Sequence, residues 1–63
     1  MMFEAEVFSY EFGSDQAQEI GLALQRNHAV EIGGRLFWPI SASYNKREDI
    51  ITFRAEPVPF VFT

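Results

Sequence analysis

"AVEIGGRLFWPIS", residues 29–41, is the stretch on which the fold turns. Two glycines separate two runs rich in β-branched and aromatic residues. Glycine enters the positive-φ region without a Cβ clash, so the stretch reads as a β-hairpin turning at Gly33 and Gly34. Two registers compete. A two-residue loop sets Ile32 against Arg35 and Val30 against Phe37. A three-residue loop over residues 33–35 instead lines up Val30, Ile32, Leu36, Trp38 and Ile40 on one face. Register follows the buried face, so the pattern favours the three-residue loop, with Leu36 and Trp38 in the core. Pro39 has no N–H to give to a ladder and is expected at an edge or a bulge.

Downstream, "SASYNKREDIITFRAE" (residues 41–56) reads as a second hairpin with the polar "NKRE" at its tip. Ile51, Phe53 and Ala55 alternate toward the core, and Thr52, Arg54 and Glu56 toward solvent. Upstream, "GSDQAQEIGLALQRNH" (residues 13–28) opens like a helix. Ser14 or Asp15 can accept from the first free N–H groups, Gln18 follows Asp15 at capping-box spacing, and Arg26 suits the negative end of the dipole. Ala17, Ile20, Gly21 and Leu24 recur at i, i+3, i+4, i+7 with Ala23 beside them, which predicts a helix over residues 14–26 with that stripe inward. Gly21 in the stripe is expected to let the helix approach the sheet closely. Leu22 falls off the stripe, an exposed leucine. Before the helix, "FEAEVFSYEF" (residues 3–12) alternates as a strand, with Phe8, Tyr10 and Phe12 on one parity and Phe3, Ala5 and Val7 on the other. A bulge near Ser9 would reconcile the two apolar faces.

Residues 1–63 are therefore expected to form a single small α+β domain in the order β-α-β-β-β, with one helix packed on a mainly antiparallel sheet. A chain of 63 residues buries only about 60% of the surface its unfolded form exposes. Small domains often supplement such a core with disulfides, metals or oligomerisation. With no cysteine and His28 the only histidine, disulfides and thiolate metal sites are excluded and oligomerisation is the supplement expected. No cofactor and no metal site is expected. The aromatic load agrees, because seven Phe, two Tyr and one Trp are many for one small core.

"EPVPFVFT", residues 56–63, ends the chain on its most apolar stretch. Pro57 and Pro59 lack N–H groups, so the stretch is expected along an edge or outside the ladder. Val58, Phe60 and Phe62 share one face of an extended segment. A second copy of the chain packed on them would give a homodimer, closed rather than fibrous because prolines block edge pairing. Leu22, Val58, Phe60 and Phe62 are the protein-interface candidates. The competing reading folds the tail back over its own helix or sheet.

The formal net charge is −4, divided as −5 over residues 1–25 and +1 over residues 26–63. An acidic chain argues against phosphate-dominated nucleic-acid binding. The N-terminus "MMFEAEVF" lacks a basic n-region and carries Glu4 and Glu6, and no apolar stretch approaches the ~20 residues of a membrane span. A soluble, cytoplasmic protein with no membrane partner is expected.

No catalytic constellation stands out. There is no nucleophile elbow, phosphate-binding glycine loop or HExxH pair. His28 lacks an evident partner for general-base work and reads as a helix-end residue. Glu48 and Asp49 sit beside Lys46 and Arg47, as in a solvated hairpin tip. Arg35, Phe37, Tyr44, Lys46 and Arg47 mix cations with aromatic rings on which single-stranded nucleic acid or a nucleotide would stack. The expected function is nonetheless a non-catalytic protein-interaction module, a regulator or inhibitor of a larger protein such as phages and mobile elements encode. A nucleic-acid or nucleotide-binding accessory protein is the alternative.

Overall fold

Ser14 starts the helix. Its extended backbone (φ −67°, ψ 161°) lets Oγ accept from the Ala17 N–H at 3.3 Å, which satisfies one of the donors a helix start leaves free. Asp15 then falls in the first turn, where its charge suits the dipole. Gln18 donates its side-chain amide to the Gly13 carbonyl at 3.0 Å, so it ties the entry loop and closes no box with Asp15. At the other end Asn27 takes the left-handed conformation (φ 61°, ψ 53°). The N–H groups of His28 and Asn27 then donate back to Ala23 and Leu24 at 3.0 and 3.3 Å, the pairing of a Schellman motif.

The structure is a computed structural model that describes residues 5–59. Its elements are β1 (Glu6–Glu11), α1 (Asp15–Arg26), β2 (Val30–Ile32), β3 (Arg35–Asn45) and β4 (Ile50–Pro57). The expected α+β fold is observed, one helix on a four-stranded sheet ordered β1-β4-β3-β2, with all three pairings antiparallel. α1 carries the chain from one edge strand to the other. Ala17, Ile20 and Ala23 of α1 meet Val30 and Phe53 in the core, with Tyr10, Ile32 and Ile51 around them. Phe37 and Ala55 are buried on the same side of the sheet. Among the described residues, no helix is long and apolar enough to cross a membrane.

The first hairpin corrects the expected register. Ile32 pairs with Arg35 and Val30 with Phe37, so the loop has two residues. Gly33 and Gly34 both have positive φ, 61° and 81°, as a two-residue turn matched to strand twist requires. A three-residue loop would ask Arg35 for the left-handed conformation, which costs a Cβ-bearing residue roughly 1–2 kcal/mol. The turn therefore outweighs the count of apolar residues on a face. Phe37 goes inward and packs edge-to-face on Phe8 at a centroid distance of 4.9 Å. Leu36 and Trp38, expected in the core, are instead exposed. Of the other expected core residues, Ile20, Val30 and Phe53 are buried, while Leu24, Ile32 and Ile51 are half-buried.

Three further expectations shift. The bulge lies in β3, where the register with β4 skips a residue between Pro39 and Ser41, and β1 runs unbroken past Ser9. A proline with no N–H sits naturally beside such an interruption. A Cβ added at Gly21 would meet nothing within 4 Å, so close helix approach is not why glycine stands there. β4 is an inner strand, and Pro57 is its last residue, opposite Phe37. The tail's start thus pairs within its own chain, the Val58 N–H donating to the Leu36 carbonyl at 2.9 Å.

Candidate functional site

Antiparallel sheets with one covered face ordinarily turn polar residues outward on the other. β4 follows this pattern on the helix-free face, with Thr52, Arg54 and Glu56. β3 does not. Leu36, Trp38 and Ile40 follow one another along its outer side and are 51%, 42% and 44% exposed. The bulge keeps this stripe together. Trp38 stands opposite Glu56, and Ile40 is the residue the register skips before Ser41 stands opposite Arg54. Val7, 62% exposed, lies on the far side of Arg54, its partner on β1. The aliphatic stem of an arginine can lie along such apolar neighbours while its head stays wet. Val58, half-buried, continues the row beside Leu36.

Toward the second hairpin the same face turns hydroxylic. Ser9 and Thr52 share a hydrogen bond of 2.9 Å, and Ser43 stands opposite Thr52. The outer face is thus apolar at one end and polar at the other. Covering the four exposed apolar side chains would release roughly 1 kcal/mol or more each, since each is about half accessible and full burial is worth about 1.5–3. Together they approach the few hundred Å² at which an exposed patch marks a contact surface.

On the helix side, a half-open cavity of about 330 Å³ is lined by Tyr10, Gln16, Glu19, Ile20, Glu31, Ile32 and Gly33. Its size is at the low end of ligand sites, which run from roughly 300 Å³ upward. On the helix side Glu19, Gln16 and Tyr10 offer a carboxylate, an amide and a phenol but neither a cation nor a histidine, so no full positive charge is there to hold an anionic substrate. Among the described residues, no group of three or more His, Cys, Asp or Glu is placed to hold a metal ion.

The tip of the second hairpin is a local structural cluster. Asn45 Oδ1 accepts from the N–H groups of Arg47 and Glu48 at 3.0 and 3.2 Å. The Tyr44 hydroxyl donates to Asp49 Oδ1 at 2.7 Å, and the Phe12 ring lies 4.6 Å from the Tyr44 ring. The hydrogen bond to Asp49 foremost, then desolvation and the nearby carboxylate charge, raises the Tyr44 phenol above its ordinary value of 10.0. His28 is exposed just past α1, and its Nδ1–H donates to the Ala29 carbonyl at 2.9 Å.

The structure scatters the residues singled out from the sequence. Leu22 is 46% exposed on α1, on the opposite side of the sheet from Val58 and the β3 stripe. Phe60 and Phe62 lie outside the described residues. Of the five aromatic and basic residues, Phe37 is 3% exposed and offers no ring to stack on. Arg35 sits over the Phe37 ring, with its guanidinium carbon 5.8 Å from the centroid, and reaches Glu6 at 3.9 Å. Tyr44, Lys46 and Arg47 lie around the far end of β3, ~30 Å from Arg35 at a strand's rise per residue. The five form no common surface. Leu36, Trp38, Ile40 and Val7, by contrast, were not legible as a site, because the wrong register put the first three inside. The signal lay in the demand a longer loop makes on Arg35. No protein-family model matches the chain, and no curated protein or solved structure is significantly similar to it.

Proposed function

We propose that the chain is a small, non-catalytic protein-interaction module whose contact surface is the helix-free face of its sheet. One observation carries the reading: Leu36, Trp38 and Ile40 stand outward in succession on an inner strand of an antiparallel sheet, each more than 40% exposed. Tryptophan is enriched at the centres of protein interfaces, where a rim of polar groups excludes water around it. Glu31 beside Leu36 and the Ser9, Thr52 and Ser43 hydroxyls toward the second hairpin supply polar groups at the margins of this face, while Arg54 and Glu56 stand beside the stripe on β4. A module of this kind serves as a regulator or inhibitor by occupying a surface of a larger protein, and the cysteine-free composition suits the cytoplasm.

A photo-crosslinking phenylalanine analogue at position 38 tests the reading in extract of the source cell, with the same analogue at position 22 as the control. A protein adduct from position 38 and none from position 22 is expected. No adduct from position 38, equal yields from both positions, or an adduct to nucleic acid would each overturn it.

A further inference from the structure

We propose that this face docks on the same face of a second copy of the chain, across a two-fold axis lying between the sheets and perpendicular to the strands, midway between Arg54 and Glu56. The proposal rests on reading the face as a protein contact and adds a second copy as its occupant, which a larger protein would have to displace.

The charge pattern argues for a second copy. Arg54 and Glu56 are two residues apart on β4 and both exposed, so they project from the same face. The stated rotation reverses β4 on itself. It sets Arg54 against Glu56 of the second copy and Glu56 against Arg54 of the second copy, two opposite-sign pairs from one operation. Such an isologous interface requires one patch to complement itself.

Trp38 and Ile40 obey the same operation, while Leu36, level with Val58, is set against Ser43 of the second copy. Trp38 is level with Glu56, and Ile40 with Ser41 is level with Arg54. Trp38 therefore meets Ile40 of the second copy, again twice. A two-fold along the strands would set Arg54 and Glu56 against themselves or against the apolar side of β3, leaving charges repelled or unpaired at a cost.

The four strands have 6, 3, 11 and 8 residues, a face of roughly 440 Å² at ~3.3 Å per residue and ~4.8 Å per strand, so the contact belongs with the small, weak interfaces below the ~800 Å² per partner of a standard one. Among the described residues the helix-side core includes three alanines, Ala17, Ala23 and Ala55, which bury little area each and leave room for a supplement. Part of the chain's negative charge lies off the contact, while Glu31 beside Leu36 and Glu11 on the parity of Val7 and Ser9 stand at the margins of this face. Asp15 and Glu19 sit on α1 and Glu6 pairs with buried Ala55 on the helix side, away from the proposed interface and close to the ~10 Å screening length.

The test measures association by sedimentation equilibrium for the intact chain, Arg54→Glu, Glu56→Arg and an equimolar mixture of the two variants, with far-UV circular dichroism confirming the fold. The intact chain is expected to dimerise in the micromolar range. Each variant alone juxtaposes two like-charge pairs and should bind itself at least ~10-fold more weakly. The mixture restores both opposite-sign pairs and should associate like the intact chain. Trp38→Glu, at an exposed position, is the second probe, expected to be monomeric with an unchanged dichroism spectrum. An intact chain that stays monomeric into the millimolar range, single variants that dimerise normally, or a mixture no tighter than its components would overturn the proposal. If position 38 still crosslinks to a different protein in that event, only the second copy is lost; with no protein adduct at all, the interaction reading falls as well.

Discussion

Phe37 and Trp38 are neighbours that point to opposite faces of β3, and truncating each in turn tests the register directly. Phe37 is 3% exposed and packs on Phe8. Removing such a ring costs about 3–5 kcal/mol through lost burial and the cavity left behind. The whole domain, at about 0.05–0.15 kcal/mol per residue, has ~3–9 kcal/mol of stability to lose. Phe37→Ala should therefore remove a third or more of that stability, and Phe37→Leu, which keeps most of the volume, should cost about 1.5 kcal/mol or less. Trp38 is 42% exposed and leaves no sealed cavity, so Trp38→Ala should cost ~2 kcal/mol at most. At about 4–8 °C per kcal/mol for a domain this small, the two alanine variants should melt at clearly separate temperatures. Urea titration followed by far-UV circular dichroism is the assay, because Trp38 is the only tryptophan and its fluorescence vanishes with it. Measurements across a dilution series, extrapolated to the monomer, remove any contribution from association. Trp38→Ala costing as much as Phe37→Ala in that limit would refute the two-residue loop and return Trp38 to the core.

Other outcomes follow from local geometry. Replacing both Gly33 and Gly34, at φ 61° and 81°, with valine should cost well over 1 kcal/mol; an unchanged denaturation midpoint would contradict the turn. Gly21→Ala should stabilise by about 0.5–1 kcal/mol, since a helix interior favours alanine and the added Cβ meets nothing within 4 Å, and the same titration reads the gain. The Tyr44 phenol, raised above 10.0 by its hydrogen bond to Asp49, favours the folded hairpin while protonated. Its contribution is full below the ordinary tyrosine value and is lost as pH rises through the folded one. Asp49→Asn, which tolerates the positive φ of 58° at this position, should shift the ultraviolet ionisation of Tyr44 back toward that ordinary value.

The helix was legible because its signals are local: Ser14 ahead of the first turn, the Ala17, Ile20 and Leu24 spacing, and Arg26 in the last turn. The existence of both hairpins was legible for the same reason. Register in β3 was not, because that strand is apolar on both parities, with Phe37 and Pro39 on one and Leu36, Trp38 and Ile40 on the other. Counting apolar residues chose the richer parity, whereas the backbone demand on Arg35 and the distant ring of Phe8 selected the other. The exposed stripe was hidden by that inversion. Pro57 misled in a different way: its missing N–H excludes the middle of a doubly paired strand, but the end of an inner strand satisfies the same constraint. Strand order depends on where α1 deposits the chain after crossing the sheet, which no local pattern records.

The fluorescence of Trp38 reports most directly on whether the outer face is a contact surface. Emission and iodide quenching of the intact chain are recorded as its concentration rises from nanomolar to millimolar. Dilute protein should emit like a partly hydrated indole and quench readily, and emission should move to the blue with loss of quenching as a second copy covers the ring. A shielded, blue-shifted tryptophan at every concentration would place it in the monomer core, and one that stays fully quenchable into the millimolar range would show that the chain does not cover this face with itself.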